Sequence, residues 1–293
     1  MGRELADAYP DARAAFDEAE AALPGLTTLI FEGPDDQLVL TQNAQPAILT
    51  VSVAACRVLA ARGIEPAFVA GHSLGEYSAH VAAGTMAFAD AVRVVRRRGQ
   101  YMQEAVPVGA GSMAAILGLD ADVVARACEE AAEGEVVSPA NINGAGQVVI
   151  AGTTAAVKRA GERAKALGAK RVIPLAVSAP FHCALLKPAE ERLEPDLRAL
   201  RVHNPRIPVV ANVDAEPKRD AASAIDALVR QVSAAVRWEQ VVRRLASEGV
   251  TNYVEVGPGT VLSGLVKKIH KDARVFNFAA PEDLAAVEEG LRA

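Results

Sequence analysis

Apolar positions along the chain follow two spacings: every three to four residues in long stretches, and unbroken in short runs. The first spacing marks helices with one buried face, the second marks buried strands. Asp11 to Leu23 has helical spacing and stops at Pro24-Gly25. Ala47 to Arg62, entered through Thr41–Pro46, is apolar on most faces and predicts a buried helix ended by Gly63. The run Ala67-Phe68-Val69-Ala70 predicts a strand, and Glu76 to Ala83 the helix that follows. A further helix is expected over Asp90 to Gln103.

The pattern changes at Val108-Gly109-Ala110-Gly111. From there the spacing predicts strand 113–117, helix 122–132, strands 136–141 and 147–151, helix 154–167 and strand 171–177. That β-α-β-β-α-β order is the split βαβ arrangement of a ferredoxin-like unit. Alternation then resumes, with helix 190–200, strand 207–213, helices 220–235 and 238–248, strand 252–256, helix 260–270, strand 274–278 and helix 283–291. Strands alternating with helices predict a parallel sheet covered on both faces. The expected fold is therefore α/β: a larger α/β-hydrolase-like domain, residues 1–108 and 179–293, with a ferredoxin-like subdomain, 109–178, inserted in it.

Composition narrows the function. The 293 residues are 51% hydrophobic and 23% charged, ordinary for a globular chain, and the net charge of −5 argues against nucleic acid as a partner. No apolar stretch reaches the length that crosses a bilayer, and the charged first residues are no signal peptide, so no membrane role is expected. Cys56, Cys128 and Cys183 lack Cys-x-x-Cys spacing and read as reduced structural thiols of a cytoplasmic protein. Gly257-Pro258-Gly259 has Leu262 where a dinucleotide-binding loop needs its third glycine, and no Walker or His-Glu-x-x-His pattern occurs. No metal and no cofactor are expected.

The candidate chemistry centres on Gly71-His72-Ser73-Leu74-Gly75, lying between an expected strand and an expected helix. This is the pattern of a nucleophile elbow, in which small flanking residues let the backbone turn sharply and expose the serine hydroxyl at a helix N-terminus. A serine needs a base. Of five histidines, His182 follows a strand end and Pro180, where an α/β sheet places its site. His72 is expected to point away from Ser73, His80 reads as structural, and His203 and His270 lie in polar and basic connections. Arg93, Arg96, Arg97 and Arg98 cannot all face one way, because helix neighbours differ by about 100°. One of them can turn inward while the others meet solvent or an acidic partner.

Five ordered motifs, GHSLGEYSAHVAAG (71–84), RRRGQYMQEAVP (96–107), PANINGAGQVVIAG (139–152), SAPFH (178–182) and EVGPGTVLSGL (255–265), resemble those of the bacterial malonyl-CoA:acyl carrier protein transacylase family. The resemblance runs along nearly the whole chain. It implies Ser73 as the nucleophile that becomes an acyl ester, and His182 as the general base that later protonates the departing thiol. It implies a main-chain carbonyl near Gln231, rather than a carboxylate, as the group orienting His182. Arg98 corresponds to the arginine gripping the free carboxylate of malonate, the Leu74 N–H to an oxyanion donor, and Asn141 and Gln231 to polar residues lining the pocket. Malonyl-CoA is then the substrate, acyl carrier protein the partner, and the protein a monomer acting in fatty acid or polyketide synthesis. Arg93, Arg96, Arg97, Lys267, Lys268 and Lys271 are candidates for docking an acidic carrier.

Members of that family begin with an apolar strand and a Gly-Gln-Gly-Ser-Gln loop that supplies a second oxyanion donor. Here Met1–Leu5 aligns with the helix beyond that loop, so the sequence is expected to start inside a longer natural chain or to be a truncated product. The elbow alone also fits a serine esterase or thioesterase, and the absent loop leaves open a carrier-protein binder with impaired turnover.

Overall fold

The computed structural model describes residues 1–292, a mixed α/β protein. Five helices lead: α1 (Arg3–Ala8), α2 (Pro10–Ala22), α3 (Leu26–Glu32), α4 (Asp35–Leu38) and α5 (Thr41–Ala61). Strand β1 (Val69–Ala70), α6 (Leu74–Ala82) and α7 (Phe88–Glu104) follow. A contiguous unit comes next: β2 (Gly111–Leu117), α8 (Ala121–Ala131), β3 (Val137–Gly144), β4 (Gln147–Thr153), α9 (Thr154–Ala166) and β5 (Arg171–Pro174). After a 3₁₀ turn (Ala184–Leu186) the chain forms α10 (Lys187–Arg198), β6 (Val209–Val210), β7 (Pro217–Lys218), α11 (Ala221–Gln231) and α12 (Trp238–Ser247). It closes with β8 (Asn252–Val256), α13 (Val261–Ile269), β9 (Arg274–Phe278) and α14 (Asp283–Arg292).

The expectation of one parallel sheet needs correction. β1 pairs with β6 in parallel, with β7 antiparallel on the far side of β6, while β8 and β9 form a separate parallel pair. The strands expected over 67–70 and 207–213 shrink to two residues each. The reason is local: just beyond the paired residues the backbone groups are taken by side chains. Gly71 O accepts from Asn212 Nδ2 at 2.7 Å, and Asn212 N–H donates to the Glu76 carboxylate at 2.9 Å. The ladder stops where the site begins. The helix that the resemblance places at the start of the chain is α1, whereas α3 and α4 were not anticipated, and β5 ends at Pro174 rather than at 177.

Helix α5 organises the larger layer. The expectation that no stretch reaches bilayer length needs correction: at 21 residues α5 is long and apolar enough, yet most of it is buried inside the protein, with Leu49, Val51, Ala54, Ala55 and Val58 among the core residues. Phe16 and Ala19 of α2, Val92 and Val95 of α7 and Leu193 of α10 belong to the same core. The middle unit has its own core. Its antiparallel sheet, in the order β3-β4-β2-β5, packs one face on α8 and α9 through Ile116, Val148, Ile150, Val124 and Val157. The opposite face, with Met113, Ala115, Val149 and Ala151, packs on Phe181, Cys183 and Leu185. The sheet therefore braces the segment that carries His182.

Candidate active site

Ser73 stands between β1 and α6 with φ 52° and ψ −107°. A positive φ in a non-glycine residue stores strain of about 1–3 kcal/mol and persists only where the surroundings over-determine it. Here they do. A Cβ on Gly71 would lie 2.1 Å from the carbonyl of Gly75, so only glycine lets the chain fold back this tightly. The Ser73 N–H donates to Asn212 Oδ1 at 2.7 Å. The N–H of Leu74, the first residue of α6, has no acceptor among the described residues. It points out of a helix N-terminus, where negative charge is favoured.

His182 arrives from the other side. Pro180 packs so closely on β2 that a Cβ on Gly111 would meet its ring at 2.4 Å. Cys183 Sγ donates to Pro180 O at 3.2 Å, closing the turn, and His182 itself has φ 59°. His182 Nδ1 lies 2.9 Å from Gln231 O, a carbonyl that can only accept, so Nδ1 carries the proton. Nε2 is left with its lone pair, 2.7 Å from Ser73 Oγ. Burial, reinforced by the Arg98 charge, holds the imidazole down to about pKa 3. The ring is neutral at neutral pH and able to take the serine proton. Cys183 is no competitor, since burial pushes its thiol up to about 11.

Of the four clustered arginines, only Arg98 turns inward, to 1% exposure. Arg93 pairs with Asp90 and Arg97 with Asp196, while Arg96 donates to Gln42 O. The Arg98 guanidinium donates to Gln45 Oε1 at 2.6 Å, Gln231 Oε1 at 2.9 Å and Ser73 Oγ at 3.1 Å, and lies 5.4 Å from the centre of the Tyr77 ring. It makes no ion pair among the described residues, and its Nε–H has no acceptor. A buried cation with neutral partners only is poised for an anion. Gln231 touches all three groups: Oε1 takes Arg98, its backbone carbonyl takes His182, and Nε2 donates to Ser73 O at 2.9 Å and Glu76 Oε2 at 2.8 Å.

Asn141 lies on β3, half-buried, where the backbone of its strand bridges to Val236, and its side chain has no hydrogen bond among the described residues. The neighbour two residues on is the one that reaches the elbow. Asn143 Oδ1 lies 3.0 Å from His72 Nε2, and the His72 ring sits 5.7 Å from that of Trp238. His72 thus joins the elbow to the middle unit. Sequence reasoning missed Gln45, Glu76, Asn143 and Asn212 as site residues. The available signal was a polar side chain inside an otherwise apolar element, as with Gln45 in α5. Among the described residues no three His, Cys, Asp or Glu gather as metal ligands.

A serine hydroxyl bonded to a neutral imidazole, on a strand–turn–helix elbow, is the arrangement of enzymes that transfer acyl groups through serine. Comparison with known proteins narrows the class. Residues 1–282 match the family model described as acyl transferase domain. The malonyl CoA-acyl carrier protein transacylase of Bacillus subtilis (strain 168) is 47% identical over 294 residues, covering 100% of this chain and 93% of the relative. The crystal structure of an acyl carrier protein S-malonyltransferase from Vibrio cholerae superposes with a TM-score of 0.96 at 47% identity, covering 98% of this chain and 94% of that one. A malonyl-transacylase in complex with its type II PKS acyl-carrier protein superposes with a TM-score of 0.96 at 46% identity, covering 99% and 94%. The chain belongs to the acyl transferase domain family, among the malonyl CoA-acyl carrier protein transacylases.

Proposed function

We propose that the protein transfers malonyl from malonyl-CoA, through an ester on Ser73, to the phosphopantetheine thiol of acyl carrier protein. As Ser73 Oγ attacks the thioester carbonyl, its proton passes to His182 Nε2. The Leu74 N–H stabilises the oxyanion. When the C–S bond breaks, His182 returns the proton to the coenzyme A sulfur. The carrier thiol then attacks the ester by the reverse sequence. Arg98 holds the free carboxylate, and the Nε–H without an acceptor supports that role. Asn141 lines the same pocket. The reaction needs no cofactor beyond the thioester itself. The middle unit, 109–178, is a ferredoxin-like subdomain inserted in a hydrolase-like domain, 1–108 and 179–293; the antiparallel order β3-β4-β2-β5 supports this reading. The protein acts as a monomer.

The observation that carries the proposal is Arg98: a buried guanidinium 3.1 Å from the nucleophile with no carboxylate partner among the described residues. Such a group selects a dicarboxylic acyl chain over acetyl. Arg98→Ala is expected to lower malonyl loading about 10²-fold or more while sparing acetyl loading. Formation of the acyl-Ser73 ester from the two thioesters measures it. Unchanged malonyl kinetics would refute the role.

A further inference from the structure

Gln231 has a role that none of the five sequence motifs carries, and it is held by a residue from inside one of them. Glu76 is the third residue of α6, where a glutamate ordinarily reaches back to the backbone N–H of the capping serine. Here that N–H belongs to Asn212 Oδ1 instead. Glu76 turns into the interior, fully buried, and its Oε2 accepts from Asn212 N at 2.9 Å and Gln231 Nε2 at 2.8 Å. It makes no ion pair with lysine or arginine among the described residues; its nearest ionisable contact is His80 Nε2 at 4.0 Å. A cap, or a carboxylate kept for an ion pair, would not be built this way.

The amide of Gln231 can sit in two orientations that differ by exchange of oxygen and NH₂. One presents oxygen to the Arg98 guanidinium, the other presents NH₂ donors to a group that has only donors. The Glu76 carboxylate accepts from the NH₂ side at 2.8 Å and, with the Ser73 carbonyl at 2.9 Å, selects the first orientation; Glu76 is the side chain of that pair. We propose that Glu76 is a positioning residue for acyl transfer, holding the Gln231 amide so that Gln231 orients Arg98 toward the acyl carboxylate. The chain of bonds runs Glu76 Oε2, Gln231 Nε2, Gln231 Oε1, Arg98 Nη2, with Ser73 Oγ bonded to the same Nη2. The inference rests on reading Arg98 as the carboxylate clamp.

The test compares acyl-Ser73 formation from malonyl-CoA and acetyl-CoA in the wild type, Glu76→Ala, Glu76→Asp and Glu76→Gln, each checked for folding by circular dichroism. Glu76→Ala removes the acceptor, and the malonyl-to-acetyl ratio of kcat/KM is expected to fall by roughly tenfold or more. Glu76→Asp keeps the charge but withdraws the acceptor by one methylene, so the ratio falls in a protein more certain to fold. Glu76→Gln can offer its oxygen to both donors and its NH₂ to His80 Nε2, so the ratio stays within about threefold of wild type. A ratio unchanged in Glu76→Ala or Glu76→Asp, or lost in a folded Glu76→Gln, overturns the proposal. A wild type that forms no malonyl ester fails earlier, and that result counts against the reading of the site rather than against Glu76.

Discussion

At the residue scale the site depends on which groups are charged. His182 is neutral because burial and Arg98 both oppose its protonation. The acid limb of kcat/KM should therefore lie well below pH 6.5, toward 3, and activity at pH 5.5 should stay close to that at pH 7.5. A midpoint near 6.5 in the pH–rate profile would show that the imidazole is solvated. The same groups set acid stability. His182 and His80, the latter also held near 3 by burial, take up protons in the unfolded chain below about 6.5 but stay unprotonated in the folded one until about 3. Their contribution to stability is lost as pH falls through that window. Glu76, pushed up to about 7, works the other way: the folded state binds its proton first, and stability is gained between about 7 and 4.5. Two histidines outweigh one carboxyl, so Tm should fall as pH drops from 6 to 4. A Tm that rises over that range, followed by calorimetry, would contradict these assignments.

The roles at this scale were unequally legible. Ser73 announces itself because a sharp turn demands small neighbours, and Gly71 shows why: its missing side chain is what the Gly75 carbonyl occupies. Helical geometry allowed one of the four arginines to turn inward, and the family resemblance singled out Arg98. Gln45, Glu76 and Asn212 were not legible as a set, because each stands on a different element and only folding brings them under the elbow.

At the element scale the core rests on close helix contacts. A Cβ on Gly99 in α7 would lie 2.5 Å from Gln42 Cα and 2.7 Å from Thr41 O, backbone atoms that cannot rotate away. Gly99→Ala gains helix propensity but must separate α5 from α7. It should destabilise the fold by about 1–3 kcal/mol, the usual cost of overpacking. Urea unfolding measures it, and a neutral or stabilised variant would contradict the packing described. Long periodic helices such as α2, α5 and α7 were visible in the apolar spacing. The strands β1 and β6 were visible too, but their shortness was not, since their length is set by side chains of the site taking over the ladder's hydrogen bonds.

At the scale of the whole molecule, two cores meet at the reaction centre. The larger one supplies Ser73, Arg98 and Gln231, and the sheet of the middle unit braces His182 and reaches the elbow through Asn143. The order of strands in the middle unit was legible because each stands between clear turn residues, whereas the split of the parallel strands into two pairs depends on contacts distant in sequence. Carrier docking belongs to this scale. Arg93 and Arg97 are already paired and Arg96 donates to Gln42 O, which leaves the exposed Lys267 and Lys268 in the last turn of α13 and Lys271 just beyond it as the better candidates for an acidic partner. Raised salt should then weaken turnover with carrier protein more than loading from coenzyme A thioester. Equal sensitivity in steady-state assays would remove that assignment.

The central claim is that one alcohol, deprotonated by a neutral imidazole, carries the acyl group between two thiols. Intact-mass measurement of the protein mixed briefly with malonyl-CoA tests it most directly. The account predicts one malonyl adduct per chain, absent in Ser73→Ala and discharged on adding acyl carrier protein. Full transfer by Ser73→Ala, or an adduct that maps to another residue, would contradict it.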